Sequence, residues 1–276
     1  MNYFLSIIAG LIQGITEFLP ISSSGHLVLF HEIIGFNFSD SLLFDIVLHL
    51  GTLVALLICF WQDLIKIIKG FLASLINWRV KEDINQKLSW IIILGTFPAA
   101  IIGYFFEDFI NSIFHESIFA SLIVAIMLVL IALLFFYYEK KSFQNKQIEE
   151  LNWLDGIVIG LAQALALIPG TSRSGITIIA GMQRGLKREA AAKFSFLLSI
   201  PIILGAGVKS FLNFPLLQTG ELGWLIIGFL SACLSGVITI KFLLKYLANH
   251  SLFIFAWYRL ILALIIFVWL LLKFFV

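Results

Sequence analysis

GLIQGITEFLPISSSG at residues 10–25 returns in altered form as GLAQALALIPGTSRSG at residues 160–175. The two stretches align without a gap. Identical residues stand at Gly10, Leu11, Gln13, Ser22, Ser24 and Gly25 and at Gly160, Leu161, Gln163, Ser172, Ser174 and Gly175. Each stretch interrupts an apolar run with Pro, Gly, Ser or Thr residues, which favour a turn over continuous helix. The chain is therefore predicted to contain two related halves, each opening with an apolar helix that a polar turn breaks.

The composition places this chain in a lipid bilayer. Of its 276 residues, 61% are hydrophobic and only 12% are charged, whereas a soluble domain carries roughly 25% charged residues. A mean hydropathy of +1.06 means more apolar surface than one soluble core can bury. Cys59 and Cys233 lie in apolar runs without a pairing pattern, so neither a disulfide nor a zinc site is expected. The net charge of +2 says little about partners, and no nucleic acid is expected among them.

Six apolar stretches approach the roughly 20 residues that a helix needs to cross the hydrocarbon. They occupy residues 41–61, 88–106, 117–138, 190–208, 222–240 and 252–272. Lys and Arg residues concentrate in three of the connections, at 62–87, 139–152 and 184–193, and are rare in the alternate ones, at 107–116 and 209–221. Because basic connections stay in the cytoplasm, the first three are predicted to be cytoplasmic and the other two to face outward.

Residues 153–183 lie between two basic connections and must leave the membrane on the side from which they enter. Their second arm, 176–183, is too short to cross, which predicts a re-entrant helix-loop-helix hairpin. Residues 3–35 have the same form. Three spans follow each hairpin, so the hairpins are expected to enter from opposite faces, as in an inverted-topology repeat. The predicted fold is an all-α polytopic membrane protein with both termini outside. It has one domain, 1–276, with halves at about 1–138 and 153–276.

The second polar turn has the features of an anion site. Small hydroxyl residues and glycines precede a short helix expected to begin near Ile176, and a helix N-terminus attracts negative charge. Arg173 adds a planar cation that can hold two phosphate oxygens at once. The hydroxyls of Ser172, Ser174 and Thr177 flank it. In the alternative interpretation Arg173 pairs with a structural carboxylate.

The first turn offers groups for acid-base or nucleophilic chemistry. Gln13 and Glu17 are four residues apart and share one helix face, and the helix break that follows holds Ser22, Ser23, Ser24 and His26. Each residue also has a structural explanation, as an ion-pair partner, a helix cap or a buried core histidine. Facing a cradle that contains Arg173, the group as a whole is predicted to be catalytic.

Other polar residues give weaker indications. Asp45 and His49 are four residues apart within the first span, where they could pair with each other, line the cavity or bind a cation. Arg259 lies near the start of the last span and is expected to extend toward the cytoplasmic surface. No role is assigned to His31, His115 or His250.

At these two turns the sequence resembles the undecaprenyl-diphosphatase family, the bacitracin-resistance lipid phosphatases of bacteria. The similarity is carried by QGITEFLPISSSGH at residues 13–26 and PGTSRSGIT at residues 169–177, and it extends over essentially the whole chain in length and span order. The resemblance implies hydrolysis of undecaprenyl diphosphate to the monophosphate. That reaction recycles the carrier lipid of peptidoglycan synthesis at the bacterial plasma membrane, with an active site reached from the outer face.

The resemblance assigns functional roles to two sets of matching positions, which are Glu17, Ser23 and His26 in the first turn and Ser172, Arg173, Ser174 and Thr177 in the second. We predict a mechanism in which these residues and their neighbours act together. Arg173, with Ser172, Ser174, Thr177 and the helix N-terminus, would hold the diphosphate, and Gln13, Ser22 and Ser24 would assist. Ser23 would attack the terminal phosphorus or direct a water at it, and His26, oriented by Glu17, would move the proton. A rival mechanism makes His26 the nucleophile.

One position departs from the commonest family pattern. Gln13 stands where many relatives have a second Glu, which argues against a metal site built from two carboxylates. Mg²⁺ or Ca²⁺ could serve as a counter-ion of the diphosphate, although no all-protein cage is visible. No organic cofactor is expected.

A secondary transporter or lipid flippase is the main alternative function, because inverted repeats with broken helices are a transporter design. The Ser, His and Glu side chains favour an enzyme, since moving an anion needs neither a nucleophile nor a base. The sequence leaves the oligomeric state open, a homodimer included.

Overall fold

The computed structural model describes residues 2–34, 41–114, 118–142, 144–212 and 221–275, and helices dominate these ranges. The only β-pairing within them is an isolated bridge between Lys146 and Leu186. The α-helices, in chain order, are α1 (Asn2–Phe18), α2 (Ser23–Ile34), α3 (Ser41–Cys59), α4 (Trp61–Ile76), α5 (Ile84–Phe114), α6 (Ile118–Lys141), α7 (Trp153–Leu165), α8 (Arg173–Gln183), α9 (Arg188–Leu212), α10 (Glu221–Leu247) and α11 (Phe253–Phe275).

Six of these helices, α3, α5, α6, α9, α10 and α11, are long and apolar enough to cross a membrane. They coincide with the six predicted stretches, so the all-helical class and the number of candidate spans are confirmed. Helices α1 and α7 are apolar but shorter. His115 and parts of the two connections that are poor in Lys and Arg, at 115–117 and 213–220, lie outside the described residues.

Helix α4 occupies a segment that the sequence analysis treated only as a basic connection. It packs on the start of α5, where Gly70 lies close to Asn85 and the indole nitrogen of Trp90 donates to Ser74 Oγ at 2.9 Å. The outer surface of α4 mixes lysines with exposed apolar residues such as Ile68 and Leu72. The two lysines of α4 interrupt its apolar residues, so the hydropathy pattern did not indicate the amphipathic helix that forms there.

The two short apolar helices each pack against a long helix from the other half of the chain. Helix α1 lies on α10 and α3, and helix α7 lies on α5. Glycines stand on both helices where they cross. A Cβ atom at Gly10 would overlap the carbonyl oxygen of Gly228, and one at Gly160 would overlap that of Gly95. Since Gly10 and Gly160 are matched positions of the repeat, both halves use the same small-residue contact between helices.

Both broken helices turn at a serine in the left-handed region of the backbone. Ser22 has φ 77° and Ser172 has φ 69°, a conformation that costs a residue other than glycine roughly 1–3 kcal/mol. Each serine then caps the helix that follows. Gly25 N donates to Ser22 Oγ at 3.3 Å, and Gly175 N donates to Ser172 Oγ at 3.1 Å. The second helix therefore begins at Arg173 rather than near Ile176 as predicted, because the serine cap lies earlier.

The three basic connections meet at one end of the molecule. Ion pairs join Arg188 to Glu139 at 2.6 Å and Lys193 to Asp63 at 2.8 Å. A third cluster surrounds the buried carboxylate of Asp155 at the start of α7, which accepts from Arg184 at the end of α8 at 2.6 Å and from Lys146 at 3.0 Å. The start of α7 and the end of α8 are therefore held together at this end.

Candidate active site

The two polar turns touch each other, and their central contact joins two predicted catalytic residues. Arg173 Nη2 donates to Glu17 Oε1 at 2.6 Å, and the side chains are only 14% and 7% exposed. Arg173 does pair with a carboxylate, but that carboxylate belongs to Glu17, which is itself a candidate site residue, so the functional role of Arg173 stays a prediction. Removing one member of such a buried pair leaves an uncompensated charge, at a cost of about 3–5 kcal/mol.

The second oxygen of Glu17 collects donors from the first half of the chain. Ser23 Oγ donates to Glu17 Oε2 at 2.6 Å, and Gln13 Nε2 donates to it at 3.1 Å. The Gln13 contact confirms that the two residues share a helix face. The imidazole of His49 lies on the same oxygen, with Nε2 at 3.5 Å. A serine hydroxyl, a carboxylate and a guanidinium are thereby in one cluster.

His26 is not part of this cluster, contrary to the expectation that Glu17 orients it. Its Nδ1 donates to the backbone oxygen of Ser22 at 2.7 Å, because a carbonyl can only accept. In the neutral ring Nε2 then accepts from the Tyr258 hydroxyl at 2.7 Å, and the two rings are stacked. Nothing in the sequence singled out Tyr258, an aromatic residue in an apolar helix.

The hydroxyls of the second turn hold the backbone in shape. Ser174 Oγ lies 3.2 Å from Ser172 Oγ and donates to the carbonyl oxygen of Leu19 at 3.3 Å, across to the first turn. Thr177 Oγ1 lies 2.7 Å from Ser195 Oγ and contacts the carbonyl oxygen of Arg173. Direct binding of a substrate by these hydroxyls stays a prediction.

In the first turn, Ser22 Oγ lies 3.2 Å from Ser24 Oγ, which repeats the pairing of Ser172 with Ser174. Ser24 is exposed and accepts from Gly170 N of the second turn at 3.5 Å. Ser24 is therefore the hydroxyl of the two turns that is most open to a ligand.

Arg259 proves to be a central residue of the fold, and its predicted extension to the surface is wrong. The side chain is completely buried. It donates to Pro20 O of the first turn at 3.2 Å and to Gly170 O and Thr171 O of the second turn at 2.8 and 3.1 Å. It also reaches two carbonyls of α6, at Met127 and Leu128. Every residue has a backbone oxygen, so the sequence does not indicate which carbonyls Arg259 binds. Its role in joining the two turns could therefore not be predicted.

Asp45 and His49 do not pair through their side chains. The Asp45 carboxylate lies 3.0 Å from His31 Nε2, whereas His49 Nδ1 donates to the Asp45 backbone oxygen at 2.8 Å. His49 is thus turned toward Glu17, and the weakly supported suggestion that it lines the cavity agrees with this position.

A metal centre built by the chain is not found in the part that the structure describes. No group of three His, Cys, Asp or Glu side chains there lies close enough together to hold a metal ion. Both oxygens of Glu17 already face donors, and an amide, Gln13, occupies the neighbouring helix position. No residue is assigned to a cation.

The six apolar helices define a multi-pass membrane protein, and a polar cluster is buried between its two broken helices. The family model described as Bacitracin resistance protein BacA matches residues 6–265, and the chain belongs to this family. This result confirms the resemblance found in the two turns.

Relatives named undecaprenyl-diphosphatase cover nearly the whole chain. The protein from Geotalea daltonii is 42% identical over 263 residues, which are 94% of this chain and 95% of that protein. The protein from Thermodesulfovibrio yellowstonii is 46% identical over 266 residues, 96% of each chain. The protein from Caldicellulosiruptor bescii is 41% identical over 273 residues, 99% of each.

Replacing Arg259 should loosen both turns together. Arg259→Lys keeps the charge but cannot serve carbonyls on three segments, and each buried acceptor left unpaired costs about 1–3 kcal/mol. We expect a clearly lower thermal unfolding midpoint in detergent for this variant than for the matched exposed substitution Arg79→Lys. Equal midpoints for the two variants would contradict the role assigned to Arg259.

Proposed function

We propose that this protein hydrolyses undecaprenyl diphosphate to undecaprenyl phosphate and inorganic phosphate at the cluster of Glu17, Ser23 and Arg173. The observation that carries the proposal is the shared carboxylate, which holds the Ser23 hydroxyl on one oxygen and the Arg173 guanidinium on the other. The relatives named for this reaction support it. The product would return to peptidoglycan synthesis, and the activity would confer resistance to bacitracin.

Arg173 is the group that would hold the phosphates. It uses part of its guanidinium on Glu17 and on the backbone oxygen of Ser195, at 3.3 Å. Its other N–H groups can bind phosphate oxygens and stabilise the charge that develops during phosphoryl transfer. Ser23 would then attack the terminal phosphorus or position a water for the attack. We favour Ser23 over His26 as nucleophile because both ring nitrogens of His26 have partners.

The lipid part of the substrate would lie along the outside of the bundle. A groove of about 470 Å³ with almost purely apolar walls runs between α6 and α11. Two wall residues stand next in the chain to residues that contact the turns. Ala125 follows Val124, which packs near Gly25 and Gly170 of the two turns, and Leu260 follows Arg259. A prenyl chain in this groove would leave its diphosphate close to the turns. A divalent cation would arrive with that diphosphate as its counter-ion.

The finer architecture belongs to the same proposal. Segments 3–35 and 153–183 would be re-entrant hairpins of an inverted repeat, with halves at about 1–138 and 153–276 of a single domain. The matched left-handed serines support this arrangement, as do the matched glycine crossings of α1 and α7. The ion pair between Asp155 and Arg184 supports a hairpin that enters and leaves at one face.

In the bacterial plasma membrane, the end that carries the basic connections would face the cytoplasm. Both termini would then lie outside, and the first hairpin would open the active site to the outer face. A transporter or flippase is the less favoured function, because such a protein has no use for a serine hydroxyl bonded to a buried carboxylate. The oligomeric state stays open.

Phosphate release from undecaprenyl diphosphate by the purified protein in detergent tests the reaction. The wild type should release phosphate, and Arg173→Ala should lose at least about 10²-fold in rate, as expected for a lost charge-stabilising donor. Arg173→Lys should also be strongly impaired, because a lysine cannot make the two-pronged contact. Arg79→Ala serves as the control and should retain full activity. Wild-type release no greater than that of Arg173→Ala would reject the proposal.

Labelling with a membrane-impermeant thiol reagent in intact cells tests the sidedness. In a background with Cys59→Ala and Cys233→Ala, Phe4→Cys near the N-terminus should react, and Trp78→Cys after α4 should be protected until the cells are opened. Neither native side chain is buried inside the protein, and a position shielded by lipid would stay unlabelled also in opened cells. The opposite pattern would reverse the proposed orientation.

A further inference from the structure

A second imidazole lies at the candidate site, on a different helix from the one that the turn motif indicated. His49 projects from α3, and its Nδ1 proton is fixed by the Asp45 backbone oxygen at 2.8 Å. In the neutral ring, Nε2 therefore carries the free lone pair. This nitrogen lies 3.5 Å from Glu17 Oε2, and the side chain is 33% exposed. His49 thus presents Nε2 to the cluster and is partly exposed: unprotonated, this nitrogen can take up a proton, and once protonated it pairs with the Glu17 carboxylate.

Glu17 accepts the hydrogen bond of Ser23 but is a weak base, because the other donors on its carboxylate, above all the Arg173 guanidinium, stabilise the ionised form. A carboxylate has about four lone-pair positions. Arg173, Ser23 and Gln13 already donate to them. His26 cannot take the proton of Ser23 either, because its acceptor nitrogen already accepts a hydrogen bond from the Tyr258 hydroxyl. Gln13 Oε1 also has no donor, but an amide oxygen is not a base; among the basic groups described around Ser23, His49 Nε2 is the one to which no protein donor is assigned.

We propose that His49, and not His26, transfers the proton in this reaction, while Glu17 orients Ser23, His49 and Arg173 around one carboxylate. The proposal rests on the hydrolysis proposed above. Ser23 Oγ and His49 Nε2 meet the same oxygen, at 2.6 and 3.5 Å, which leaves the hydroxyl and the imidazole close enough for one water to connect them.

The step balances as two transfers. Ser23 Oγ bonds to the terminal phosphorus, and the bond from that phosphorus to the bridging oxygen breaks. The hydroxyl proton moves to His49 Nε2 and from there to the departing lipid monophosphate. Water then bonds to the phosphorus and its proton passes to His49. The proton returns to Ser23 Oγ as the bond between Oγ and phosphorus breaks, and inorganic phosphate leaves.

The charges around His49 are compatible with this role. Glu17 on α1 faces the ring, with Arg173 of α8 behind it, and His31 of α2 holds the carboxylate of Asp45 on His49's own helix. Helices α9 and α10 also pack on α3. On α9, Lys193 pairs with Asp63 and Lys209 lies over the ring of Tyr104. On α10, Gly228 packs beside Leu48, and the charged residues Glu221, Lys241 and Lys245 stand at least seven positions from it.

The test compares His49→Gln, His26→Gln and the control His250→Gln for phosphate release across pH. A base must be unprotonated to act, so the wild-type kcat/KM should fall toward low pH. In His49→Gln we expect a loss of about 10²–10⁴-fold and disappearance of that acid limb. His250, which contacts Tyr246 on another part of the chain, should be replaceable without change in either quantity. His26→Gln should keep the acid limb.

Addition of imidazole to His49→Ala gives a second readout, because the partly exposed site admits a small base. Restored phosphate release supports the proposal. This rescue experiment can also be used if His49→Gln is poorly folded. A folded His49→Gln that keeps the wild-type acid limb, or His49→Ala without rescue by imidazole, overturns it. These outcomes are separate from a failure of the proposed function, in which the wild type itself would release no phosphate.

Discussion

The ion pair between Glu17 and Arg173 is the contact on which the rest of this structure depends. Two charged side chains buried among apolar helices are tolerable only when they meet at hydrogen-bonding distance. That requirement fixes the position of one broken helix relative to the other, since each charge stands at a different turn. The surrounding structure satisfies this requirement by adopting features that are themselves unfavourable. Two serines adopt left-handed backbone, and the buried guanidinium of Arg259 spans the carbonyls of both turns.

The two turns have the same geometry and different chemistry. Ser22 and Ser172 share a backbone conformation, a cap on the following helix and a hydroxyl contact to the second serine after the break. What differs is the reactive side chain. The first turn supplies a hydroxyl and is preceded by a carboxylate, while the second supplies a cation. A duplicated framework thus brings a nucleophile and an anion-binding group together, which a single broken helix could not do with its own residues.

The sequence predicts those features whose pattern is local or repeated. The six spans follow from hydropathy, the contact of Gln13 with Glu17 follows from helical spacing, and the relation of the turns follows from alignment. It also anticipated that Arg173 and Glu17 belong to one site, although not that they touch. The family resemblance was confirmed by relatives that cover nearly the whole chain.

The failures share a cause, which is contact between distant segments. The sequence does not distinguish His26 from His49 as the partner of Glu17. The packing of α3 and α11 places His26 on Tyr258 and His49 on Glu17. Arg259 binds backbone oxygens, which every residue has, so its partners carry no signature. Helix α4 was hidden by the lysines that it carries on its exposed surface. Each of these features depends on tertiary packing that no local pattern encodes.

A double-mutant cycle on thermal unfolding in detergent tests the central ion pair most directly. Glu17→Gln and Arg173→Gln should each lower the stability, since each leaves one buried charge without its partner. The double variant should then be less destabilised than the sum of the two, with a coupling of roughly 0.5–3 kcal/mol. Strictly additive effects would mean that the two residues do not interact, and the account of the two turns as one site would be contradicted.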